Sequence, residues 1–132
     1  MKKIILILLI ATVSQSFGQK TERRKYEFLD NTVANDYNHS QFTEVYFDFD
    51  KRLLRVTEGG QSPLFFKVNK IHKNLKQNAL NSENEYLYTA YDISIEIDKQ
   101  TYKLQARLFQ DPYAGFFLMY SQDEFKRFYN KP

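Results

Sequence analysis

Cysteine and tryptophan are both missing from the 132 residues. Without cysteine there is no disulfide framework, no thiolate metal site and no cysteine nucleophile, nor a cysteine to carry a thioether-linked lipid. The domain must be held by its core alone, which is feasible at slightly over a hundred residues. Histidine is scarce too. His39 falls in an expected loop and His72 in a basic run, with no partner at metal-ligand spacing, so neither a metal nor a cofactor is expected. The four glycines sit in turns or near the N-terminus. That excludes a glycine-rich phosphate loop and a dinucleotide fingerprint, and the chain also lacks a G-x-S-x-G elbow and an H-E-x-x-H helix.

Only one long apolar run exists, Ile4 to Val13, preceded by Lys2 and Lys3 and followed by Ser16 and Gly18 in an S-x-G arrangement. About ten apolar residues behind a charged start, ending in small residues, is the layout of a secretory signal peptide. It is too short to span a bilayer, which takes about twenty residues. The expected organisation is therefore a cleaved signal peptide at 1–18, a polar N-terminal arm at 19–41, in which Tyr26 and Phe28 suit an edge strand and Asn31 to Ser40 a loop, and a β domain with a terminal helix at 42–132. No transmembrane helix is expected after cleavage. The chain is expected to be exported to the periplasm or the medium, and the brevity and two lysines of the leader favour a bacterial exporter.

Loss of Lys2 and Lys3 lowers the formal charge from +3 to +1. A nucleic-acid binder keeps a strong positive excess, so that partner class is set aside. Clusters remain at Arg23, Arg24 and Lys25, and at Lys67, Lys70, His72, Lys73 and Lys76. These are able to touch a polyanion or membrane headgroups, although such runs are ordinarily a solvated face.

What the chain has in quantity is aromatic side chains, 12 Phe and 10 Tyr, set in alternating patterns. Val45, Phe47 and Phe49 alternate with Glu44, Tyr46, Asp48 and Asp50, the period of a half-buried strand. Leu54 and Val56, then Leu64, Phe66 and Val68, continue the buried face across two turns. Ile71 falls out of phase, which marks a bulge or a strand end. Leu75, Ala79 and Leu80 suggest a helical turn within 72–85. Leu87 to Ile97 and Tyr102 to Leu108 form a second hairpin around Asp98-Lys99-Gln100, in which Asp92, Glu96 and Asp98 are expected to oppose Lys103 and Arg107. After the turn at Asp111 to Gly115, Phe116 to Tyr120 reads as a short strand. Ser121 and Glu124 match a capping box, followed by Phe125, Phe128 and Tyr129 at helical spacing. The fold expected is mainly β: one antiparallel sheet of about six strands in meander order, rolled into a half-barrel or else a small sandwich, with a short C-terminal helix.

Two groups of residues are candidates for function. Asp48 and Asp50 stand about 7 Å apart if they share a strand face, a spacing usable by a cation site or by an acid and base in sugar hydrolysis. Tyr46, Phe65, Tyr86 and Tyr88, with Phe117, fall on the face opposite the main apolar set. They are covered by the terminal helix or else form a surface for a protein, a glycan or a small apolar ligand. The leading expectation is a non-enzymatic exported binding module. The alternative is a small-molecule or lipid carrier with a pocket inside the rolled sheet, which resembles lipocalins only at the level of the fold. A hydrolase built on the paired carboxylates ranks last.

Overall fold

The structure, a computed structural model, describes residues 20–78 and 85–132. The expected signal peptide lies outside the described residues, as do Ala79 and Leu80 of the expected helical turn. Eight strands follow in order: β1 (Thr21–Asn31), β2 (Asp36–Asp48), β3 (Leu53–Glu58), β4 (Leu64–Asn78), β5 (Glu85–Ile97), β6 (Gln100–Phe109), β7 (Phe116–Met119) and β8 (Phe125–Tyr129). Each pairs antiparallel with the next, and β8 returns to β1, so the sheet closes into a barrel.

Alternation decides which side chains fill it. Val45, Phe47, Leu54, Val56, Ile93, Ala106, Phe116, Leu118 and Phe128 are all almost fully buried. Phe47 stands at the centre of the aromatic packing, with ring centroids 4.5 Å from Tyr91, 5.4 Å from Phe49 and 6.2 Å from Phe116. An eight-stranded barrel is just wide enough for its own side chains to fill. One end of the interior is polar. Lys126 Nζ reaches the Glu58 carboxylate at 3.0 and 3.2 Å, and Gln41 Nε2 donates to Glu58 Oε1 and to Thr43 Oγ1. Every buried side-chain nitrogen and oxygen among the described residues has a partner.

The expected half-barrel of about six strands with a C-terminal helix is corrected in two places. The 19–41 segment is not an arm: it supplies β1 and the start of β2, because Tyr26 and Leu29 are buried and β1 pairs on both sides. Phe125, Phe128 and Tyr129 lie on β8, not on a helix. Ser121 Oγ does accept from the Glu124 and Asp123 amides, as a capping residue would. The Tyr120 and Ser121 amides, however, donate to the Glu124 carbonyl and close the loop of the β7–β8 hairpin. The extended backbone then sends Phe128 into the core, while Phe125, Arg127 and Tyr129 face outward. Leu75 likewise belongs to β4, which runs on past the bulge beyond Val68.

Candidate functional site

The β8–β1 seam carries a second, external layer. Arg127, only 5% exposed, lies 3.9 Å from the Tyr129 ring and 5.0 Å from the Tyr113 ring. It donates to Asp30 at 3.0 Å and to the carbonyls of Tyr113 and Ala114 at 2.5 and 3.3 Å. The Tyr129 hydroxyl contacts Asn38 and Asp30, and burial first, then the Asp30 carboxylate, raises its pKa. Arg127 thus ties β8 to β1 through Asp30 and to the β6–β7 turn through Tyr113 and Ala114.

The four aromatic candidates separate into two groups. Tyr46 lies on the outer wall between two guanidinium groups, Arg55 at 4.7 Å and Arg23 at 5.2 Å from its ring, with Glu44 2.9 Å from Arg55 and 3.8 Å from Arg23. Its faces are occupied by its neighbours. Phe65, paired with Arg55 and 52% exposed, stands further along this wall. Tyr86 and Tyr88 belong to the other group, at the opposite end of the barrel. There Tyr88 stacks on Phe109 at 4.8 Å, Phe109 lies 5.4 Å from Phe117, and Phe117 lies 5.4 Å from Phe125. Of the second-face aromatics, Tyr88 and Phe117 are therefore covered by Phe109 and Phe125 across β5 to β8, in place of the expected terminal helix, while Phe65 stays exposed.

Asp48 and Asp50 do not form a shared site. Asp48 ends β2, and its carboxylate accepts from the Lys51 amide in the turn; Asp50 lies in that turn, 4.0 Å from Lys20. Among the described residues no three His, Cys, Asp or Glu gather closely enough to hold a metal ion.

The outer wall of β4, β5 and β6 holds the feature that single residues did not reveal. An open groove of about 1190 Å³ runs across it, with Lys51, Arg52, Lys67, Lys70, Lys103 and Arg107 on its walls and only Asp92 and Glu96 as acids. The expected cross-strand ion pairs are not made. The two-residue turn at Asp98 and Lys99, both at positive φ, sets Ile97 opposite Gln100. That register places Lys103 opposite Ser94, Arg107 opposite Ala90 and Asp92 opposite Gln105. Asp92 is instead taken by His72, whose Nε2 lies 3.0 Å away; this hydrogen bond is the main reason its carboxyl titrates below the usual range. Among the described residues, no carboxylate stands within ion-pair distance of the six groove cations. Lys67 and Lys70 had been visible in the basic run. Lys103 and Arg107 lack the carboxylate partners expected for them because the sequence does not fix the ladder register.

A smaller cleft of about 430 Å³ opens beside this groove and shares Arg107, Met119 and Gln122 with it. Its remaining walls are Phe109, Phe117 and Phe125, with Gln77 and the acid Asp123. Among the described residues no helix is long and apolar enough to cross a membrane. No family model matches the chain, nor does any curated protein or any solved structure.

Proposed function

We propose that this chain is an exported, non-enzymatic binding module that takes an anionic ligand on the outer wall of its barrel. The carrying observation is the groove lined by six cations that have no carboxylate partner among the described residues, whereas six of the other eleven described lysines and arginines are ion-paired. Opposite charge without a structural partner is where an anion gains most, since a protein group already paired must be freed first. Export rests on the leader-like pattern of residues 1–18.

Charge reversal tests the reading. Dextran sulfate binding to the chain should weaken as salt rises, because exposed charges are screened over about 8 Å at physiological ionic strength. The double variant Lys67→Glu, Lys103→Glu should lose at least about tenfold in affinity, roughly 1.4 kcal/mol. Reversal of Lys25, on the β1 wall away from the groove, should change little. Equal effects from both would reject the groove as the site.

A closed barrel is also compatible with a carrier that holds its ligand inside. Phe47, Phe116, Phe128 and Leu54 fill that space, which favours the outer wall. Native mass spectrometry of the chain purified from its producing cells separates the two. A retained mass that survives charge reversal in the groove would support the interior.

A further inference from the structure

The two concavities share Arg107, Met119 and Gln122 as walls, and their chemistry differs. On one side of Arg107 lies the cationic wall with Lys103, two outward steps or about 13 Å away along β6, with Gln105 between them. On the other side the strand neighbours are apolar: Arg107 pairs with Phe117, Gln105 with Met119, and Met119 with Phe125. Arg107 stands at the junction. Its Nε donates to Gln105 at 2.8 Å and its Nη1 to Gln77 at 3.0 Å, while the guanidinium lies 5.6 Å from the Tyr88 ring. Among the described residues Nη2 has no partner. The guanidinium is thus held in place with a donor to spare, at the boundary between a positive wall and an aromatic one.

We propose that the ligand is a single-chain anionic amphiphile, with its headgroup between Lys103 and Arg107 and its tail across Phe117, Met119 and Phe125. This deepens the outer-wall reading and rests on it. A purely ionic polymer would use the large groove and leave the aromatic cleft without a role. An amphiphile satisfies both, since its charge meets unpaired cations while its chain covers half-exposed rings. A cleft of about 430 Å³ lies within the range of small-molecule sites, about 300–1,000 Å³.

The test is isothermal titration of the folded chain with dodecyl phosphate below its micelle concentration, with inorganic phosphate and with dextran sulfate. Dodecyl phosphate should bind one to one and at least about a hundredfold more tightly than inorganic phosphate, the factor expected from burying about four methylenes. Phe117→Ser or Phe125→Ser should reduce dodecyl phosphate binding about tenfold or more and leave dextran sulfate binding unchanged, whereas Lys103→Glu should weaken both. Should dextran sulfate bind while dodecyl phosphate gains nothing over inorganic phosphate, the amphiphile is overturned and the anion-binding groove stands. Binding of neither overturns both. If the apolar variants fail to fold, the comparison of the two phosphates on the wild-type chain still decides.

Discussion

Gly115 shows how one residue determines whether the barrel closes. It takes φ +84° in the turn between β6 and β7, and a Cβ there would sit 1.9 Å from the Phe128 carbonyl oxygen. The residue thus combines a left-handed backbone with close approach to β8, and only glycine supplies both. Gly115→Ala should destabilise the fold by well over about 1 kcal/mol, the usual size of a glycine effect when no clash is involved. A chemical denaturation midpoint measures this, and a midpoint within error of the wild type would remove the contact from the account. The buried tyrosines define another residue-scale expectation. Burial, more than the nearby Glu22, pushes the Tyr91 hydroxyl from 10.0 up to about 12, and burial raises Tyr26 further still. In the unfolded chain both ionise near their ordinary value, while the folded chain keeps the proton. Folding stability should therefore be intact below about pH 10 and fall as pH rises towards 12, by as much as about 1.4 kcal/mol per pH unit for each tyrosine. Alkaline denaturation followed by phenolate absorbance checks the sign. Stability that rises over that interval would contradict it.

At the scale of elements, β8 matters most, because its five residues join β7 to β1 and turn a curved sheet into a closed one. Phe128 is fully buried and packs 6.1 Å from Phe116. Phe128→Ala should cost about 3–5 kcal/mol, as aromatic deletions in a core do, and native-state hydrogen exchange should show the loss in β1, β7 and β8 first. Uniform loss through all strands would mean that β8 does not govern closure. This strand also shows where the sequence ceases to be legible. The alternation of Val45 and Phe47, of Leu54 and Val56, and of Ile93 with Leu104, Ala106 and Leu108 is regular enough to place the strands and their buried faces. Phe125, Phe128 and Tyr129 are ambiguous, because i, i+3, i+4 spacing suits a helix stripe and also a short strand with rings on both faces. Long-range pairing with Phe28 and Leu29 of β1 resolves that ambiguity, and nothing local encodes it. Of β1 only an edge at Tyr26 and Phe28 is legible, for the same reason: its outward Arg23, Lys25 and Glu27 read as polar arm, and bulges after Tyr26 and Leu29 break the period of its buried residues. The groove was legible only in part. Lys67 and Lys70 were noted as basic, but the separation of Lys103 and Arg107 from the acids of β5 depends on the register set by one two-residue turn.

For the molecule as a whole, the division between inside and outside carries the functional account. The interior is occupied by large aromatic and aliphatic side chains and closed at one end by the Lys126–Glu58 pair. The outer wall carries the unpaired charge and, beside it, the aromatic cleft. A carrier and a surface binder built on the same barrel differ in which of these two places meets the ligand. The measurement that separates them most directly is an NMR titration of the isotope-labelled protein with dodecyl phosphate, followed through backbone amides and through the methyl groups of Leu, Val and Ile. The account predicts that amides of Lys103 to Phe109 and Phe117 to Phe125 shift, with no ligand contact at the methyls of Leu54, Val56, Ile93 or Leu118. Direct nuclear Overhauser contacts between the dodecyl chain and those interior methyls would contradict it and place the ligand inside the barrel.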